Sequence, residues 1–399
     1  MDATLPPKIS SPEQEVLTPP PLPVTKARSG VLRFLLRLAR GLKSWFLAAL
    51  SCLSIPLAVV FSGWTYRLVQ RRVLTFWAKR LEQGPPFERI LPRWFVSERF
   101  RHHLSTARSH SPLDWVHGVS CAFLGSFATN IKVGFLTVLN SLLVTLPGGM
   151  IMMFSWYSGW DNSFNKGYEQ AAIGPLWGFI GIFLFMAAMT YVPIAQARQA
   201  ATGRTKSFWN YRKVRDVIKA RPVACLLLVA GYAALGFVFM IAVSALMFIG
   251  NSNGFADLTP PQIIAFLNSY YFWWAALFIV PGFIALKLLA GRIYAGAAFD
   301  AVTGGSWKKE ELAGEEARAF ESAPVNVTPP ALPGLMRTSL RAFSSIGRFT
   351  LRLATFLLLL GFAFQLYVAQ FFNFEPAANW LRQPMVQIPW YHSIPGHLE

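Results

Sequence analysis

The feature that most constrains this chain is an abrupt change of character between Gly167 and Arg221. No charge occurs from Gln170 to Ala197; then Arg198, Arg204, Lys206, Arg212, Lys213, Arg215, Lys219 and Arg221 follow against a single Asp216. About 20 apolar residues rising 1.5 Å each cross the roughly 30 Å hydrocarbon layer of a bilayer, so the first half reads as a transmembrane helix. Basic loops are retained on the cytoplasmic side, and the second half therefore sets the direction of that crossing.

The same alternation runs through the chain. Further charge-free runs cover 133–160, 222–256, 258–286 and 353–374. They predict spans at 133–156, 173–195, 222–250, 269–291 and 350–372, each with aromatic or basic residues near an end that suit the interface. The segments this pattern puts outside, 157–172, 251–268 and 373–399, contain only Lys166 and Arg382 of the chain's 37 lysines and arginines. The pattern predicts a cytoplasmic N-terminus and an exterior C-terminus. A balance of 54% apolar, 15% aromatic and 14% charged residues is not that of a soluble protein. The expected fold class is an all-α polytopic membrane protein, a bundle of five or six transmembrane helices with basic amphipathic interfacial helices. The net charge of +18 would suggest nucleic acid in a soluble chain. Here the cations sit between apolar runs, where orientation and anionic headgroups account for them, so no nucleic-acid partner is expected.

Residues 1–28 hold seven prolines and few apolar side chains, the composition of a disordered tail without a cleavable signal. Residues 29–132 read as a cytoplasmic or interfacial region. In it Arg33, Arg37 and Arg40 share one helical face and Leu32, Leu35, Leu36, Ala39 and Leu42 the other, as in a helix lying on an anionic membrane. Within that region, 45–64 is apolar with Pro56 near its centre and basic segments on both sides. A re-entrant or tightly bent hairpin is preferred there over a true span, which would leave one basic cluster outside. Residues 133–302 form the four-helix transmembrane core, and 303–335 a charged helix begun at Ser306 with a Pro-rich linker. Residues 336–373 form an amphipathic lead, with Arg337, Arg341, Arg348 and Arg352, into the last span; 374–399 is an exterior tail.

Helix packing has its own signals. Gly174, Gly178 and Gly181 follow one face, which predicts a helix packed centrally against a neighbour. Asn140 and Ser141 form a polar pair suited to interhelical hydrogen bonding. Pro147, Pro193 and Pro281 mark kinks. Lys287 and Arg292 are expected to snorkel to the cytoplasmic headgroups. ARQAATG at 197–203 and AFDAVTG at 298–304 suggest a duplicated hairpin at an offset of 101 residues, a signal no stronger than chance.

Recognisable chemistry is sparse. His103, His110, His117 and Asp114 would share a face on one continuous helix and offer a metal four ligands. Ser111-Pro112 breaks that register, so the segment is read as a solvated face. Asp161 and Glu169 in the exterior loop are read as solvated charges among interface aromatics. Cys52, Cys121 and Cys225 have no metal-ligand spacing, and no phosphate loop, H-E-x-x-H, C-x-x-C or G-x-S-x-G occurs. No catalytic, cofactor-binding or metal residues are assigned. The expectation is a non-enzymatic protein of a bacterial inner membrane that organises or assists partners, with anionic lipid on its cytoplasmic face. A permease or channel-like component is the alternative, and a lipid-modifying enzyme using Asp161 and Glu169 the least favoured reading.

Overall fold

A computed structural model describes residues 30–51, 54–81, 112–155, 173–249 and 258–321, with scattered helical positions between 347 and 361. The chain divides into two units, 1–44 and 45–399. The proline-rich tail, His103 and His110, the loop with Asp161 and Glu169, the linker after 321, most of the 350–372 span and the C-terminal tail lie outside the described residues.

Every regular element among the described residues is helical: α1 (Gly30–Ser51), α2 (Ile55–Arg80), α3 (Pro112–Ser155), α4 (Ile173–Thr202), α5 (Tyr211–Ala220), α6 (Pro222–Ile249), α7 (Pro260–Trp274), α8 (Val280–Thr303) and α9 (Glu315–Phe320). A π turn, Ala275–Ile279, joins α7 to α8, and 3-10 turns occupy Thr205–Trp209 and Lys309–Glu311. Among the described residues, three stretches are long and apolar enough to cross a membrane: Trp115–Met152, Leu176–Thr202 and Pro260–Thr303. A fourth results if α5 and the first part of α6, which meet at 101°, are one broken span.

Local chemistry explains the boundaries. Ser54, extended, caps α2 by accepting from Leu57 N, and Pro56 falls in the first turn of α2, where its missing amide hydrogen costs nothing. α3 starts at Pro112, as Ser111-Pro112 predicted, and continues through Lys132 into the expected span. Its 44 residues make about 66 Å, some twice the hydrocarbon thickness. Pro147 and Pro193 lie inside α3 and α4. Pro281 follows the π turn, where the hydrogen-bond ladder has already slipped by a residue.

In the unit that begins at Trp45, the centre is built from α2, α3, α4 and α8, with α3 against α4 the most extensive pairing and α2 against α3 next. α2 reads in the sequence as part of a basic interfacial region, yet Val73, Leu74 and Trp77 are among the most buried residues, and Trp77 Nε1 donates to Ala295 O at 2.9 Å. Glycines permit both crossings. A Cβ at Gly148 on α3 would lie 2.7 Å from Phe185 N, and one at Gly181 on α4 would lie 2.9 Å from Met152 N. Gly178 is also buried, so the glycine face of α4 does meet a helix. At the α2–α3 crossing a Cβ on Gly63 would overlap Asn130 O, and one on Gly134 would overlap Val59 O. In lipid, where no hydrophobic force drives helices together, such close backbone approach is what holds them.

Candidate functional site

Where α2, α3, α4 and α8 meet, the bundle interior is polar. Lys287 on α8 is only 9% exposed, and its ammonium donates to Gln196 Oε1 on α4. Gln196 Nε2 in turn donates to Ser141 Oγ on α3 at 2.5 Å. The ammonium also lies 5.0 Å from the centroid of the Phe283 ring. Beside it is a cavity of about 20 Å³ whose wall is mostly apolar, from Val69 of α2, Pro193, Ala197 and Ala200 of α4 and Phe283 of α8, with Ser62, Thr65 and Tyr66 of α2 and Thr137 of α3 also lining it. That is room for one water. Lys287 therefore does not snorkel to headgroups, as its place late in a span suggests. Gln196 draws it inward; Arg292, on the same helix, is exposed.

Farther along α4 is a buried ion pair. Arg198 and Glu316 are 1% and 0% exposed, with Nη2 and Oε2 4.0 Å apart. Tyr294 donates its hydroxyl to Glu316 Oε1 at 2.5 Å. Burial pushes the Glu316 carboxyl above its ordinary range, against the opposing pull of the Arg198 charge and the Tyr294 hydrogen bond. Removing two charges from water is expensive, and such a pair persists only because the fold closes over it. The closure is the strap from Trp307 to Phe320.

The sequence predicts a charged helix beginning at Ser306. Instead a 3-10 turn at Lys309–Glu311 precedes the short helix α9, and Ser306 Oγ donates to Ala301 O. Three apolar side chains anchor the strap: Trp307, Ala319 and Phe320 are buried, and the Phe320 ring lies 4.9 Å from that of Trp77. Gly314 passes so close to the end of α4, at φ 56°, that a Cβ there would overlap Thr202 O. Only glycine meets both demands. Lys213 of α5 donates to Glu311, sits 4.4 Å over the Trp307 ring, and holds the Glu311 carboxyl below its usual range.

The basic loop is thereby divided. Arg198, Lys213 and Arg221 engage Glu316, Glu311 and Asp300 respectively. Arg204, Lys206, Arg212, Arg215 and Lys219 remain exposed. The Asn140–Ser141 pair acts between helices as its sequence predicts: Trp209 Nε1 donates to Asn140 Oδ1 at 3.2 Å and Gln196 reaches Ser141. His117 is exposed, with Cys121 Sγ 3.7 Å from its Nε2. Among the described residues no three His, Cys, Asp or Glu side chains are grouped for a metal ion. The two similar helix ends share caps: Thr202 Oγ1 and Thr303 Oγ1 each bond the carbonyl four residues back, and Gly203 N and Gly304 N do likewise.

Compared with known protein families, curated proteins and solved structures, the chain matches none.

Proposed function

We propose that this is a multi-pass protein of a bacterial inner membrane that works without covalent chemistry, organising or assisting partners in the bilayer. In this reading it makes five or six crossings, with its N-terminus in the cytoplasm and its C-terminus outside. The observation that carries it is the fixed basic platform following α4. Arg204, Lys206, Arg212, Arg215 and Lys219 project from a turn and a short helix whose inner side, Phe208, Val214 and Val217, is fully packed. Each cation near an anionic surface contributes roughly 1 kcal/mol. A pre-ordered set binds headgroups or an acidic partner without the cost of ordering a loop. In the first unit, the exposed Leu35, Leu38 and Leu42 of α1 give the apolar side expected of a helix lying on lipid.

Native mass spectrometry of the protein extracted with its lipids and partners tests this reading. Retained anionic lipid or protein should be lost in the combined variant Arg212→Gln, Arg215→Gln, Lys219→Gln. Saturable solute uptake into proteoliposomes, with nothing retained on the platform, would overturn it. The second reading, a permease or channel-like component, draws support from the buried Lys287 and its cavity, because an ionisable group inside a span commonly marks a solute or proton path. Unchanged flux after Pro147→Ala and Pro281→Ala would remove its link to the helix breaks.

A further inference from the structure

The basic turn after α4 does not simply project from the end of the bundle; it doubles back along it. Tyr191 and Thr202, the end of α4, are 11 residues or about 16 Å of helix apart. Yet the Tyr191 hydroxyl donates to Phe208 O, and its ring stacks on that of Tyr211 with centroids 4.8 Å apart and planes at 26°. Trp209 lies between them in the chain and donates to Asn140 Oδ1 of α3 at 3.2 Å. The start of α5 is thus pinned to the flank of α3 and α4, inside the length of two stretches apolar enough to cross a membrane.

Trp209 and Tyr211 nevertheless stay 37% and 55% exposed. Rings with an apolar body and a polar tip, facing out from the flank of a crossing helix, belong to the headgroup boundary. Going round α5 from Tyr211, Arg215, Lys219 and Arg212 follow as one exposed stripe, against a single half-buried carboxylate, Asp216. Lys213 comes last, buried on Trp307 and Glu311 of the strap. The cations therefore lie between an aromatic edge on the side of the spans and the strap on the other. The direction of α5 agrees: α6 leaves it at 101°, with Val223 and Leu227 exposed on its first turns. If α6 crosses the bilayer, a helix square to it lies along the surface. An acidic protein would have to reach this stripe through the headgroups, whereas lipid phosphates stand there already.

We propose that Arg212, Arg215 and Lys219, edged by Trp209 and Tyr211, form a binding site for the phosphates of anionic phospholipid in the leaflet around the bundle. The proposal rests on the reading that the basic platform engages a partner, and it commits that partner to lipid. The two rings set the depth of α5, and the cations meet the phosphates at that depth.

Two measurements on the full-length protein test it. The first places a nitroxide at Tyr211→Cys or, as a control on the exposed strap, at Glu310→Cys, each in a Cys52→Ser, Cys121→Ser, Cys225→Ala background reconstituted in phosphatidylglycerol–phosphatidylcholine nanodiscs. Oxygen should relax the label at 211 more than a water-soluble nickel chelate does, with the order reversed at 310. The second is native mass spectrometry of detergent-purified protein offered equal amounts of the two lipids. Wild type should retain phosphatidylglycerol in preference, and Arg212→Gln, Arg215→Gln, Lys219→Gln should weaken that retention by about 100-fold while leaving phosphatidylcholine unchanged. Should the triple variant not fold, Arg215→Gln alone reads the same contact as a loss of about 5-fold. A label at 211 that reads water, or a lipid preference indifferent to these substitutions, would overturn the lipid site. If an acidic protein were then retained and lost with the same cations, the broader reading of a partner-binding platform would survive; if nothing were retained, both would fall.

Discussion

Gly148→Ala isolates what holds α3 to α4. The added methyl would meet Phe185 N at 2.7 Å, Gly181 O at 3.0 Å and Phe185 Cα at 3.0 Å, all of them backbone atoms of the facing helix. Carbon contacts settle at roughly 3.5–4.0 Å, so the helices must separate by about 0.5–1 Å, a gap that forfeits a quarter to a half of the dispersion energy along the seam. Overpacking of this kind costs about 1–3 kcal/mol. The same substitution at Gly125, exposed on α3 with nothing within 4 Å of the added Cβ, gains about 1 kcal/mol of helix propensity. Since both changes gain the same propensity, the two variants should differ by the overpacking cost alone, about 1–3 kcal/mol. Thermal unfolding in detergent reads the difference, with Gly148→Ala several degrees below Gly125→Ala, itself at or above wild type. Gly181→Ala should behave like Gly148→Ala, because Met152 N as well as the flexible Met152 side chain stands in the way. The two together should cost less than their sum, since the first methyl has already parted the helices. A Gly148→Ala protein as stable as Gly125→Ala would show that backbone contact does not set this crossing.

Arg198→Met leaves Glu316 without its cation and should cost about 3–5 kcal/mol, with Glu316→Gln restoring part of the loss in the double variant. Because the folded chain raises the Glu316 carboxyl, it keeps a proton that the unfolded chain has released, so stability falls as pH rises from the ordinary carboxylate range through the raised value. Thermal midpoints against pH should lose that slope in Glu316→Gln, and an unchanged slope would assign it elsewhere. In a Cys52→Ser background a maleimide should label the exposed Cys121 in the native protein and the buried Cys225 only after denaturation; equal labelling rates would contradict the packing of α6. Compartment-specific reporters fused after Ser163, Lys206, Asn253 and Glu399 should read outside, inside, outside and outside, and a cytoplasmic signal at Glu399 would break the proposed topology.

The helices that can cross a membrane were legible because an apolar run of sufficient length has few other fates. The glycine face of α4 and the Asn140–Ser141 pair were legible for a related reason, since small and polar residues in such a run have little use except against another helix. The role of α2 was hidden by its cations. Arg67 counts in the sequence toward a basic flank, yet it is buried and donates to Ser126 Oγ on α3. Gly63 and Gly134, which bring α2 against α3, are isolated glycines in sequence and gain meaning only from each other.

Arg198 and Lys287 show why charge position along a helix misleads about burial. Each is the first charge after a long neutral run, ending 170–197 and 258–286 respectively, which is where a headgroup anchor is expected. A run of hydropathy gives depth along the helix axis and carries no information about azimuth. Here azimuth decides: Arg198 faces Glu316, and Lys287 faces Gln196. Azimuth did leave a trace in Gln196 and Gln199, three apart on α4, with Thr137, Asn140 and Ser141 on α3. Polar residues so spaced on two neighbouring helices leave each apolar surface only if they face one another. The partner carboxylate left less of a trace, because Glu316 belongs to a strap rich in charge. Its one clue is apolar: Trp307 and Phe320 flank a segment that would not need them if it stood in water.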